Sequence, residues 1–288
     1  MTLPTFFIIG AGKAGTTSLN FYLSLHPEIQ MSAIKEPSFF AGAENGKPYP
    51  IGRISCLEEY ERLFDPAVGV RGEASPAYAS YPIRQGAPEK IKELVPEAKF
   101  IYLVRDPIAR TVSHYQHLVA VGAEHRSLQE ALSDLSKPFL LPEICYSLYA
   151  SQLEQYLCHF TEERILVIDQ AEFLTSRRSI LRQVFRFLTV DDSFTSSQFN
   201  KELYKSSERR VYSSGYERFV AHTLAPAMQW IPRRTRRSVR RSVERALFRP
   251  LDTPALDGQL RARLEEIYAG EVERLRVLTG KTFPTWNI

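Results

Sequence analysis

Phe6-Phe7-Ile8-Ile9-Gly10-Ala11-Gly12-Lys13-Ala14-Gly15-Thr16-Thr17-Ser18 runs from an apolar segment of strand length, through a glycine-punctuated turn, into a helical pattern that continues to His26. This is the layout of a phosphate-cradling loop, in which backbone N–H groups converge on an anion at the positive end of a helix. The place of the lysine narrows the chemistry. A Walker A loop reads G-x-x-x-x-G-K-[ST], with the lysine after the second glycine. Gly10 and Gly15 keep that glycine spacing, but Thr16 stands in the lysine position and Lys13 lies three residues earlier. A nucleotide triphosphatase or ordinary kinase loop fits poorly, although the loop still calls for a phosphate-like group.

Working outward, apolar runs at Phe6–Ile9, Val68–Arg71, Phe100–Val104 and Ile165–Ile168 read as strands. Helical patterns fall between or after them at Thr17–Leu25, Pro88–Leu94, Pro107–Val119, Leu128–Leu135, Ser147–His159 and Ser179–Leu188. Short continuous apolar strands alternating with helices predict an α/β fold, a central parallel sheet flanked by helices with a P-loop-type nucleotide site. Ligands bind beyond the carboxyl ends of such strands, where both the first loop and the turn Arg105-Asp106-Pro107 fall. Leu19, Tyr22, Leu23 and His26 give the first helix one apolar face, and Pro27 stops it. Asp106 is placed to cap the helix that Pro107 begins. Leu260, Leu264, Ile267, Val272, Leu275 and Leu278 mark a last amphipathic helix ending near Gly280.

The chain has 288 residues, 44% of them hydrophobic, which suffices for one large domain. No apolar run approaches the ~18 residues that span a bilayer. The Phe6–Ile9 run lacks the basic flank and cleavage site of a signal peptide. Cys56, Cys145 and Cys158 form no C-x-x-C pair and read as buried thiols of a reducing, cytoplasmic compartment, with no zinc or other metal site. The net charge of +4 suits an enzyme that handles anions. It is unevenly spread: Arg233 to Arg249 holds eight arginines against the single acid Glu244. Val239, Val243 and Leu247 recur every four residues there, so the segment reads as a helix with one apolar stripe. A solvated surface helix, docking of an anionic acceptor and peripheral contact with an anionic membrane remain open for it. Nucleic acid is disfavoured, since no aromatics interleave with the arginines.

Four blocks occur in order: Gly12-Lys13-Ala14-Gly15-Thr16-Thr17-Ser18, Leu25-His26-Pro27, Lys35-Glu36-Pro37-Ser38-Phe39-Phe40, and Val104-Arg105-Asp106-Pro107 continuing to Ser113-His114-Tyr115. Together they resemble the sulfotransferases that use 3′-phosphoadenosine 5′-phosphosulfate (PAPS), in the branch of bacterial and glycosaminoglycan enzymes. The likeness is good from Phe6 through Tyr115 and weaker along the tail from Tyr268 to Trp286. It implies a single sulfotransferase domain over residues 1–288, with a PAPS-binding core over roughly residues 1–190 and a helical and loop extension beyond.

The resemblance implies roles that the chemistry supports. Lys13, Ala14, Gly15, Thr16, Thr17 and Ser18 would hold the 5′-phosphosulfate at the helix N-terminus. Lys13 would also neutralise the leaving oxygen as the sulfur–oxygen bond breaks. Glu36 is the expected catalytic base, weighed against a surface ion pair with Lys35. His114 and His117 are rival bases. Arg105 and Ser113 look like the grip on the 3′-phosphate, and Arg110 is expected to pair with an acid. Gly72-Glu73-Ala74-Ser75-Pro76 resembles the family's Glu-Lys-Ser/Thr-Pro segment, with Ala74 where the glycosaminoglycan branch has lysine. Glu73 there reads as a secondary acid, an acceptor ligand or half of an ion pair. Lys205 and Arg209 resemble part of a loop that closes over the nucleotide, although the glycine expected in that block is absent.

The expected reaction moves a sulfuryl group from PAPS to a hydroxyl or amine of a carbohydrate, lipid-linked glycan or small metabolite, leaving adenosine 3′,5′-bisphosphate. Tyr78, Tyr81, Tyr146 and Tyr149 line the acceptor pocket or belong to the core; the sequence leaves both open. Two alternatives stand beside this reading. One is an ATP-dependent phosphotransferase, for which Asp169 is the candidate metal-binding acid. The other is a non-catalytic nucleotide-binding regulator that docks an anionic partner.

Overall fold

The computed structural model describes residues 1–42, 54, 56–201, 210–212, 248–250 and 254–288. Strands β1 (Phe6–Gly10), β2 (Ile29–Met31), β3 (Val70–Ala74), β4 (Lys99–Val104) and β5 (Ile165–Asp169) form one sheet in the order β2-β3-β1-β4-β5. Every neighbouring pair in it is parallel. Phe6 to Ile9 and Phe100 to Val104 are completely buried. Central parallel strands are covered on both faces, which is why these two read as unbroken apolar runs. The α/β fold with a central parallel sheet flanked by helices is therefore as the sequence predicts.

One strand lies outside the four apolar runs and another differs from its run in extent. β2 has only three residues, one of them Gln30, too short and too mixed for an apolar run to reveal it. β3 begins later than Val68 and runs through Gly72 and Glu73 to Ala74. Its register on β1 pairs Phe6 with Gly72, Phe7 with Glu73 and Ile8 with Ala74. A glycine and a carboxylate argue against a strand in sequence; here the Phe6 ring explains the first. A Cβ at position 72 would lie 2.1 Å from Cζ of Phe6, so only glycine fits.

The helices α1 (Thr16–Leu23), α2 (Leu57–Glu61), α3 (Ala87–Leu94) and α4 (Pro107–Ala120) follow in order. Next come α5 (Leu128–Ala131), α6 (Pro142–Cys145), α7 (Tyr149–Leu157), α8 (Gln170–Thr175), α9 (Arg177–Leu188) and α10 (Gly258–Thr279). Asp106 caps α4 as expected, its Oδ1 accepting from the Ala109 N–H at 2.7 Å. Gly280 ends α10 in the left-handed conformation. α5 is shorter than the Leu128–Leu135 pattern; a capping box of Ser127 with Glu130 fixes its start.

The chain divides into two compact units. The first comprises Met1–Thr111, Asp134–Leu203 and Asp257–Ile288 and contains the whole parallel sheet. In it the C-terminal tail is tied down: Trp286 stacks on Phe283 at 4.3 Å and its Nε1 donates to Oδ1 of Asp169 at 3.3 Å. The second comprises Val112–Ser133 and Tyr204–Leu256. It contains the antiparallel pair β6 (Arg210–Tyr212) and β7 (Phe248–Pro250). β7 corrects the end of the arginine-rich helix, since Arg249 lies in a strand. The rest of that segment, with Lys205 and Arg209, lies outside the described residues.

Candidate active site

β1 delivers its chain to the loop at Gly10, and α1 takes it up at Thr16. The turn is pinned at its start by the Ala11 N–H, which donates to the Leu103 carbonyl of the neighbouring β4 at 2.6 Å. Ala14 is completely buried and its N–H closes back on Ala11 at 3.1 Å. Gly15 takes the N-cap position with φ 103°, left-handed backbone open to a residue without Cβ. Among the described residues, the N–H groups of Gly12, Gly15, Thr16 and Thr17 have no hydrogen-bond partner. Unpaired donors clustered at the amino end of a helix form a cradle for an anion. Thr16 is buried, and Lys13, Thr17 and Ser18 are half-buried around it.

β4 ends at Val104, so Arg105 emerges beside this loop, and its Nη1 donates to the Lys13 carbonyl at 3.3 Å. The structure thus brings the Arg105 guanidinium against the backbone of Lys13. Ser113 is buried on α4 in the second unit. His114 and His117 share that helix, their rings 6.5 Å apart. Arg110 corrects an expectation: it is fully buried and donates to Ser147 Oγ and the Glu143 carbonyl. Among the described residues it has no carboxylate partner.

Glu36 lies on the segment that follows β2, its side chain half-exposed and 3.3 Å from Lys35 Nζ. The ion pair weighed against the base is therefore present. An exposed pair of this kind holds a carboxylate by only ~0–1 kcal/mol, so a substrate can displace the lysine cheaply. Backbone conformation sets this residue apart more firmly. Lys13 has φ 73°, Glu36 φ 54° and Ser38 φ 53°. Each such non-glycine residue costs on the order of 1–3 kcal/mol and persists where its surroundings over-determine it, commonly at functional sites.

Glu73 is not half of an ion pair. It is completely buried, and its oxygens accept from Tyr60 OH at 2.5 Å, Tyr78 OH at 2.7 Å and Ser75 Oγ at 2.8 Å. Burial pushes its carboxyl up to about 7, the three hydroxyls opposing that rise. Sequence alone gave no sign of Tyr60, which comes from α2, nor of the connection from this cluster to the Glu36 segment.

Tyr78 and Tyr149 are core residues, while Tyr81 and Tyr146 are half-buried. The loops Ala41–Leu57 and Ala120–Cys145 are the expected walls of an acceptor pocket; residues 43–53 and 55 of the first lie outside the described residues. Asp169 Oδ1 is taken up by the Ala171 N–H at 3.2 Å and by Trp286. These bonds make it a helix cap and tail anchor, and burial raises its carboxyl above the ordinary value. Cys145 is buried, but Cys56 and Cys158 are exposed; all three are free thiols. Among the described residues no cluster of three or more His, Cys, Asp or Glu is placed to hold a metal, and no helix is long and apolar enough to cross a membrane.

A parallel sheet with an anion cradle after β1 and an arginine after β4 puts an anion-binding site beyond the carboxyl ends of the strands. Residues 3–222 match the family model described as the sulfotransferase domain, and the chain belongs to that family. The bifunctional heparan sulfate N-deacetylase/N-sulfotransferase 3 of Homo sapiens is 30% identical over 212 residues, 68% of this chain and 23% of that protein. The heparan sulfate glucosamine 3-O-sulfotransferase 5 of Mus musculus is 29% identical over 222 residues, 73% of this chain and 59% of that protein. The chain thus spans about a quarter of the length of the N-deacetylase/N-sulfotransferases it matches. A sulfotransferase from Alicyclobacillus acidocaldarius, known from its crystal structure, is 26% identical with a TM-score of 0.71, and each chain covers 100% of the other.

Proposed function

We propose that this protein transfers a sulfuryl group from PAPS to a hydroxyl or amine of a glycan acceptor. The observation that carries the reading is the cradle of N–H groups at Gly12, Gly15, Thr16 and Thr17, flanked by Lys13. It fits the charge and oxygen-rich surface of a phosphosulfate. The Thr16, Thr17 and Ser18 hydroxyls supply further donors at the same place. Lys13 meets the negative charge that develops on the leaving oxygen. Glu36 accepts the acceptor's proton as the new bond to sulfur forms and the bond to the departing phosphate oxygen breaks. Adenosine 3′,5′-bisphosphate is the product.

Arg105, held beside the loop through the Lys13 carbonyl, is assigned to the 3′-phosphate. Ser113, Lys205 and Arg209 are assigned to the nucleotide on their sequence blocks alone. A glycan acceptor is supported by the likeness to heparan sulfate sulfotransferases. Ala74, in place of a lysine, points to an acceptor less anionic than heparan itself. The two exposed free thiols favour a reducing compartment.

Calorimetric titration with adenosine 3′,5′-bisphosphate and, separately, with ADP tests the donor site. The bisphosphate is expected to bind tighter, and Arg105→Ala to lose that preference by about 10–100-fold, the worth of a charge-assisted phosphate contact. Equal binding of the two nucleotides by the wild type, or a preference for ADP with magnesium, would overturn the PAPS reading in favour of phosphoryl transfer.

A further inference from the structure

The mechanism above makes no use of Glu73, yet a carboxylate with no exposed surface is an expensive group to keep. Among the described residues no cation balances it; the groups that act on it are hydroxyls. What it does is set their direction. A hydroxyl has one hydrogen to give and two lone pairs with which to accept. Tyr78 OH gives its hydrogen to Glu73 and accepts from the Phe40 N–H at 3.2 Å. Ser75 Oγ gives its hydrogen to Glu73 and accepts from the Ser38 N–H at 3.1 Å. Tyr60 OH gives the third hydrogen, while its ring stacks on Phe39 at 4.5 Å and meets Phe40 edge-on at 5.4 Å. Both N–H groups belong to the segment that presents Glu36. The Glu36 side chain itself pairs, among the described residues, only with exposed Lys35.

We propose that Glu73 is a positioning residue: its ionised carboxylate turns Ser75 and Tyr78 so that their lone pairs receive the Ser38 and Phe40 N–H groups, and thereby docks the segment that carries Glu36. The functional consequence rests on Glu36 being the catalytic base; the docking does not. The two left-handed residues of the segment are Ser38, at the first of these anchors, and Glu36, two residues before it. An acceptor-only group is required at position 73. A glutamine, or the protonated acid, brings a hydrogen of its own, so the hydroxyl that meets it must accept there instead of donating; at Ser75 or Tyr78 that hydrogen competes with the Ser38 or Phe40 N–H for the lone pairs.

This makes the docking sensitive to pH. Burial lifts the Glu73 carboxyl to about 7. The titratable groups facing it are Tyr60 from α2, Tyr78 from the turn after β3, and Tyr156 from α7. All three phenols are pushed up by burial and stay neutral while Glu73 titrates. As pH falls through that range the carboxyl takes up its proton and an anchor loosens.

Hydrogen exchange of the peptide covering residues 34–41, corrected for intrinsic rates, tests the docking in wild type, Glu73→Gln, Tyr78→Phe and Ser75→Ala. In Glu73→Gln that peptide is expected to exchange about 10-fold faster or more while the other peptides of the sheet keep their rates. Tyr78→Phe releases the Phe40 anchor and Ser75→Ala the Ser38 anchor with Glu73 intact, so the test survives a failure of Glu73→Gln to fold. With PAPS and an uncharged chito-oligosaccharide as probe acceptor, Glu73→Gln is expected to lower kcat about 10-fold or more, with KM for PAPS within about 2-fold. In wild type, kcat and protection of residues 34–41 fall together below about pH 7, whereas Glu73→Gln shows neither step. Unchanged protection in Glu73→Gln, or loosening spread evenly over the sheet, overturns the proposal. Calorimetry with adenosine 3′,5′-bisphosphate separates the two readings: a wild type that fails to bind it sinks the donor site, and exchange then decides the docking alone.

Discussion

Replacing Glu73 by glutamine removes a titrating group and leaves nearly the same volume in the same pocket. The side chain is completely buried, and its carboxyl moves from an ordinary 4.5 to about 7 on folding. The native state therefore holds its proton more tightly than the unfolded chain does. Stability from this group is fully present below about pH 4.5 and is lost as pH rises through about 7. The whole gap amounts to about 3 kcal/mol, of which about 2–3 kcal/mol develops between pH 5 and pH 8. Glutamine carries no such dependence. Urea unfolding of both proteins at the two pH values gives four free energies, and the difference of differences cancels every other titrating group. Wild type is expected to lose about 2–3 kcal/mol relative to Glu73→Gln on going from pH 5 to pH 8. A double difference near zero, or one of opposite sign, would show that the carboxylate is stabilised in place and refute the argument from burial.

Glu36→Gln should lower turnover by about 10²–10⁴-fold with bisphosphate affinity unchanged, read by steady-state kinetics and calorimetry. Gly72→Ala places a methyl 2.1 Å from the Phe6 ring and should cost about 1–3 kcal/mol, read from urea midpoints. Trp286→Phe keeps an aromatic ring against Phe283 but removes the donor to Asp169; about 1–3 kcal/mol should be lost, and limited proteolysis should cut the tail sooner.

Much of this protein is legible without coordinates, for definite reasons. β1 and β4 are short apolar runs because they are buried in a parallel sheet, β5 is one at the sheet edge with its last three residues buried, and Asp106-Pro107 starts a helix by local chemistry alone. The phosphate loop is legible because its glycines, lysine and hydroxyls are contiguous. β2 was hidden by its brevity, and the true extent of β3 by Gly72 and Glu73, whose places depend on Phe6 and on three hydroxyls from elsewhere. Arg110 looked like half of an ion pair because nothing in sequence shows that Ser147 and the Glu143 carbonyl receive it. The burial expected of Cys56 and Cys158 likewise failed, since a lone cysteine carries no pattern that reports its exposure.

The sequence by itself determined the layered α/β class, the anion-binding loop, the placing of Arg105 at a strand end and the family to which four ordered motifs belong. Each of these is written in neighbouring residues, through periodicity, capping and backbone freedom. Tertiary structure alone decided how the Glu36 segment is held. That required Tyr60, Glu73, Ser75 and Tyr78 to meet Ser38 and Phe40, residues separated by up to 38 positions along the chain. Hydrogen-bond direction and the cost of a buried charge depend on which groups the fold brings together.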